Sequence, residues 1–268
     1  MLNKKLIWVL VSIIVVCAIV FGVVNKVTQT KFENKDNRKI ELTISAAASL
    51  KDSLIEIQSV YEKSHPNVKL RFNFGASGTL QQQIENGAPV DLFFSAGKDK
   101  FNKLIKEGLT SKKESVDLIG NELVLIEPKN SNFQVKNFED LKLNEVKKIS
   151  IGTPDLVPAG QYAKESLENM NLWSSINQKI VYAKDVRQVL SYVETGNVDA
   201  GVVYKTDALT SKKVKIVETA NNQTHKPIIY PVGIISDTKN HNETKEFYSF
   251  LQSKKSMEIF EKHGFLSK

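Results

Sequence analysis

A single cysteine, Cys17, stands in the 268 residues, which rules out disulfides within the chain and cysteine-based metal sites. Thirteen glycines and seven prolines are too few for a low-complexity chain. Histidine is equally sparse: His65, His225, His241 and His263 are not at metal-ligand spacing, and each adjoins a turn or helix end, where an exposed side chain is expected. Nucleotide signatures are missing as well. No G-x-G-x-x-G occurs, and Ala96-Gly97-Lys98 resembles only the end of a P-loop, because the required first glycine would fall at Leu92. Gly75-Ala76-Ser77-Gly78 lacks the glycine spacing of a nucleophile elbow, and no base accompanies a candidate nucleophile, so no enzyme is expected. The net charge of +7 comes from scattered lysines without interleaved aromatics, which reads as a solvated surface and not a nucleic-acid face.

One long apolar run is present. Lys4 and Lys5 precede an unbroken stretch over residues 6–24, about the 20 residues that a bilayer core requires. As a cleaved signal the run is long and lacks a small-x-small site. As a lipoprotein signal it offers Cys17, but Ile14-Val15-Val16 precede it where a small residue is usual, and the run continues past it. An uncleaved signal anchor is the first expectation and lipidation at Cys17 the second. Lys26, Lys31, Lys35, Arg38 and Lys39 follow the run, and on the positive-inside count alone they would place the rest in the cytoplasm; long domains, however, translocate largely regardless of charge. Residues 25–39 read as a polar tether, with folding from Ile40.

From Ile40 the pattern alternates strand and helix, the signature of an α/β fold. Strands are expected over 40–45, 68–74, 91–95, 122–127, 148–152, 179–183, 200–204, 214–217 and 228–235. Helices are expected over 50–64, 79–85, 98–107, 161–169, 186–194, 243–251 and 256–263. The length suits two lobes.

Four strand-to-helix turns share a character. Ser49 ends Ala46-Ala47-Ala48-Ser49, with Asp52 placed as a capping-box partner; Ser77 lies in Phe74-Gly75-Ala76-Ser77-Gly78-Thr79. Ala159 lies in Val157-Pro158-Ala159-Gly160-Gln161, and Val186 follows Asp185. The first N–H groups of a helix lack partners within it, and the peptide dipoles make that end partly positive, which suits an anion. Each turn alone reads as an ordinary helix cap. Together they can aim several helix N-termini at one cleft.

These motifs, with Gly87-Ala88-Pro89-Val90-Asp91-Leu92-Phe93, Asp185-Val186-Arg187 and Gly201-Val202-Val203-Tyr204, resemble the molybdate-binding proteins of ABC transporters, a type II solute-binding family. The resemblance covers residues 40–268. It implies two mixed sheets flanked by helices, joined by two crossing strands near residues 122–127 and 228–235, with lobe 1 over 40–122 plus 230–268 and lobe 2 over 123–229. It also implies an oxyanion held by the amide and hydroxyl of Ser49 and of Ser77, the amides of Ala159 and Val186, and the Tyr204 hydroxyl. Gly78 departs from the family, where a serine is common.

Roughly seven charge-assisted donors at about 1.5 to 3 kcal/mol each give a gross gain well above the roughly 8 kcal/mol of micromolar binding, so a salt bridge to the anion is not required. Arg187 is expected to pair with Asp185, and Tyr204, taken without the other motifs, reads as a core tyrosine. The resemblance implies capture of molybdate or tungstate outside the cytoplasm and delivery to a membrane permease, by a monomer without cofactor, metal ligands or nucleic acid. Sulfate or another tetrahedral oxyanion is the alternative ligand, and an oxyanion-sensing domain the alternative role.

Overall fold

The computed structural model describes residues 20–21, 39–131 and 133–267. Cys17 lies outside them, as does the apolar run apart from residues 20 and 21. Among the described residues no helix is long and apolar enough to cross a membrane.

The chain builds two mixed sheets. In the first, β1 (Ile40–Ala47) lies between β2 (Val68–Gly75) and β3 (Leu92–Phe94), parallel to both; β4 (Thr110–Gly120) joins this sheet later in order. The second contains β5 (Leu123–Pro128), β6 (Ile149–Gly152), β7 (Ile180–Ala183), β8 (Ala200–Tyr204) and β9 (Val214–Thr219), in the order β7-β6-β8-β5-β9. The chain then returns to the first sheet through β10 (Ile229–Ile235), antiparallel to β3 and β4, and ends with β11 (Leu266–Ser267) beside β4. We call the halves built on these sheets lobes 1 and 2.

The central strands are apolar throughout because both faces are covered: Leu92, Phe93 and Phe94 of β3 and Ala200 to Tyr204 of β8 are all buried. Helices α1 (Lys51–Ser64), α2 (Ser77–Glu85) and α3 (Lys98–Lys106) belong to lobe 1. Lobe 2 carries α4 (Pro158–Asn169), the short α5 (Trp173–Ile176), α6 (Val186–Glu194) and the short α7 (Lys205–Leu209). Helices α8 (His241–Leu251) and α9 (Lys254–Lys262) close lobe 1. On α1 the spacing of Leu54, Ile57 and Tyr61 buries one stripe, and each fully buried side chain of this size contributes about 1.5 to 3 kcal/mol. Pro158 opens α4, where its fixed φ suits the first turn and its missing N–H costs nothing.

The chain crosses between lobes twice, at residues 121–122 and 220–228. The crossings touch, with the Asn121 N–H donating to the Ile228 carbonyl at 3.3 Å. The strands expected near 122–127 and 228–235 are β5 and β10, which take up the chain directly after each crossing. Strand β4 was not expected. Its first eight residues, Thr-Ser-Lys-Lys-Glu-Ser-Val-Asp, are mostly polar and only partly buried, and only Leu118, Ile119 and Gly120 at its end form a buried run. The expected exposure holds at His241, whereas His65 and His263 are half-buried and His225 is buried, with its ring 6.0 Å from that of Tyr162 and Nδ1 2.8 Å from the Lys226 carbonyl. His65, His241 and His263 each stand within 3.2 Å of a carboxylate, those of Glu246, Glu114 and Glu56.

Candidate functional site

The loops that leave the carboxyl ends of β1, β2, β3, β6, β7 and β8 converge between the lobes, where parallel α/β sheets place their ligands. They line a small cavity that leaves about 10 Å³ of room for the centre of a water-sized sphere. That is below the roughly 300 to 1,000 Å³ of pockets for drug-sized molecules. A small polyatomic ion suits it; a sugar or peptide does not. Ser49, Ser77, Ala159, Val186 and Tyr204 all line it, and all five are buried. Residues separated by as much as 155 positions are thus brought to one wall.

The helix starts decide what the cavity can do. A 3₁₀ turn, Ala48–Leu50, leads into α1; its N-cap is Ala47, that of α2 is Ala76 and that of α4 is Val157. None of these side chains can accept a hydrogen bond, so three starts are uncapped. Ser49 and Ser77 are therefore not helix caps, the bland expectation for them. Of the four starts at the cavity, that of α6 has a polar cap, where the Asp185 carboxylate accepts the Gln188 N–H at 2.9 Å. The N–H groups of Ser49, Ser77, Ala159 and Val186 lie in first turns, without acceptors in their own helices, and among the described residues no bond between elements uses them.

Each hydroxyl already has a partner. Ser77 Oγ accepts the Ala96 N–H at 2.9 Å, and Ser49 Oγ lies 2.9 Å from the Tyr230 hydroxyl. Tyr204 donates to the Ala96 carbonyl at 3.2 Å, long for an O–H···O bond and therefore readily exchanged for a charged acceptor. Burial raises the pKa values of Tyr204 and Tyr230 well above the phenol range, so both keep their protons. Ala96, Tyr230 and Asn121 were not singled out from sequence, since an alanine acting through its backbone leaves no side-chain signal.

The lobes meet over the cavity at several points. The Gly78 N–H of lobe 1 donates to the Leu156 carbonyl of lobe 2 at 2.8 Å. A Cβ at Gly78 would lie 2.7 Å from that oxygen, which gives a local reason for glycine at this position. Arg187 does not pair with Asp185, as expected, because Asp185 is occupied as the α6 cap. Its guanidinium instead reaches Asp52 of lobe 1 at 2.5 Å and Asp207 of α7 at 2.6 Å. Asp52 is therefore an interlobe ion partner and not a capping-box residue. The Asp207 contact is ionic without hydrogen-bond alignment. Among the described residues no three of His, Cys, Asp and Glu gather as metal ligands.

A sequence model of the bacterial extracellular solute-binding proteins matches residues 42–266. The chain belongs to this family. Its members bind solutes for transport and are not enzymes. This solute-binding protein is 54% identical to a candidate ABC transporter substrate-binding lipoprotein of Bacillus subtilis, over 95% of this chain and 97% of the relative. It is 36% identical to the molybdate-binding protein of Haemophilus influenzae, over 85% and 91%. Among solved structures, it resembles the substrate-binding domain of a candidate molybdenum ABC transporter from Clostridium difficile, at 46% identity and a TM-score of 0.67, covering 85% of this chain and 99% of that one. The periplasmic molybdate-binding protein of Azotobacter vinelandii shares the fold at a TM-score of 0.76 and 22% identity, over 85% and 99%.

In this solute-binding protein, burial pushes the Asp207 carboxyl up to about 7, with Arg187 pulling the other way. The native state then holds a proton that the unfolded chain releases near 3.8, so the contribution of Asp207 to stability falls as pH rises from about 4 to about 7. Asp207→Asn removes this titration. Thermal melts at pH 5 and pH 8 should show the variant gaining on the wild type at the higher pH; a difference that stays flat or falls contradicts the assignment.

Proposed function

We propose that this chain captures a tetrahedral oxyanion, molybdate or tungstate, in the interlobe cavity and delivers it to the membrane permease of an ABC transporter. The observation that carries the reading is the set of uncapped helix starts facing one small cavity, each with a free N–H and a positive dipole end. Donors there include the amides and hydroxyls of Ser49 and Ser77, the amides of Ala159 and Val186, and the Tyr204 hydroxyl. The relatives named as molybdate-binding proteins support the choice of ion. Lobe 1 over 40–122 plus 230–268 and lobe 2 over 123–229 swing about the two crossings, and closure expels water and strengthens each bond to the dianion. The protein works as a monomer on the outer face of the membrane, held there by its N-terminal segment. The lipoprotein name of the Bacillus relative favours a lipid on Cys17 over a retained span.

Intact mass of detergent-extracted protein distinguishes the tethers. A chain lacking residues 1–16 and heavier by a lipid is expected, whereas the full-length mass means a retained anchor.

Calorimetry tests the site. Molybdate and tungstate should bind, sulfate less well because it is smaller, and phosphate poorly because near neutral pH it keeps a proton that an all-donor site cannot accept. Tyr204→Phe should weaken molybdate binding about tenfold, the low end for a charged hydrogen bond, since the hydroxyl must first give up the Ala96 carbonyl. Wild-type affinity together with a lower melting temperature would mean that Tyr204 only packs the core.

A further inference from the structure

Behind the cavity runs a chain of hydrogen bonds that the binding scheme does not use. It starts at Asn121, buried in the first crossing. Its Oδ1 accepts the Glu122 N–H at 2.9 Å, while Nδ2 lies 2.9 Å from Thr206 Oγ1 and 3.1 Å from the Tyr230 hydroxyl. A flipped amide would set its NH₂ against the Glu122 N–H, donor against donor, so the orientation is fixed. Asn121 therefore donates to Tyr230. The phenol oxygen, having accepted that bond, has its own proton to give, and Ser49 Oγ stands 2.9 Å away. Either oxygen of that pair can donate; with Tyr230 as the donor, an acceptor position of Ser49 is filled from behind and the serine proton is left for the cavity that Ser49 lines. Ser77 is set the same way by the Ala96 N–H.

We infer that Tyr230, oriented by Asn121, is a positioning residue that fixes Ser49 as a donor toward the cavity and so excludes oxyanions that retain a proton, hydrogen phosphate in particular. This rests on the oxyanion reading of the site. The polarity of the serine is set by its neighbours, since a free hydroxyl can turn and accept as well as donate. Without the Tyr230 hydroxyl, Ser49 can present a lone pair to a protonated anion.

The test is calorimetry with sodium molybdate and inorganic phosphate on the full chain, for the wild type, Tyr230→Phe, Ser49→Ala and the double variant. Tyr230→Phe should narrow the molybdate-to-phosphate affinity ratio by about threefold to tenfold, the equivalent of one neutral hydrogen bond. In the Ser49→Ala background the same change should leave the ratio unmoved. An unchanged ratio in Tyr230→Phe, or an equal loss without Ser49, overturns the inference. A wild type that binds neither anion overturns the oxyanion reading itself. Neutron diffraction of the deuterated wild-type complex with molybdate gives a reading independent of variant folding. The Tyr230 deuteron should point at Ser49 Oγ and the Ser49 deuteron at the anion; the reverse order overturns the inference.

Discussion

A helix cannot satisfy its own first N–H groups, and in this protein three helix starts facing the same cavity have no side chain that does so for them. The rest of the site follows from that constraint. Parallel strands deliver the chain to one edge of each sheet, short turns convert strand to helix there, and Ala47, Ala76 and Val157 leave the amides uncovered. An anion is the acceptor that best completes such a set, because each N–H bond to it is charge-assisted and the helix dipoles add in the same sense. No counter-charge is needed, and the guanidinium nearest the site, that of Arg187, is committed to Asp52 and Asp207.

Polar contacts between the lobes lie beside a continuous apolar core that includes Tyr204 and Tyr230. Gly78 against Leu156, Arg187 between two carboxylates, and Tyr204 on the Ala96 carbonyl are contacts of modest individual worth. Each lobe keeps its own sheet and helices, and paired crossings join them. A bound dianion would add bonds from both lobes at once. The backbone is shaped for this close approach: at Gly160 in the first turn of α4 a Cβ would stand 1.9 Å from the Gly152 carbonyl, so only glycine lets this helix start sit on the end of β6.

The alternating strands and helices were legible because the central strands are buried on both faces and read as short apolar runs between turn signals. The residues lining the cavity were legible for another reason: small residues at strand-to-helix turns recur in a recognisable order along the chain. Strand β4 was not, since its first part is polar and half-covered and its pairing with β10 slips at Tyr230 and Pro231. The partners of Arg187 lie 135 positions away in Asp52 and 20 in Asp207, and no local pattern announces either. Tyr230 and Asn121 were hidden for the same reason: a tyrosine in a β-branched run and an asparagine before a strand look like packing and turn, and only the fold brings them to Ser49.

The central claim is that backbone amides at these helix starts bind the ion. Amide nitrogen and proton chemical shifts in an NMR titration of residues 40–268 with molybdate test it directly, because an N–H that gains a charged acceptor moves strongly downfield. The account predicts the largest shifts at Ser49, Ser77, Ala159 and Val186, saturating together at one equivalent. Saturable binding with those four amides unmoved, and shifts clustered elsewhere on the surface, would contradict it.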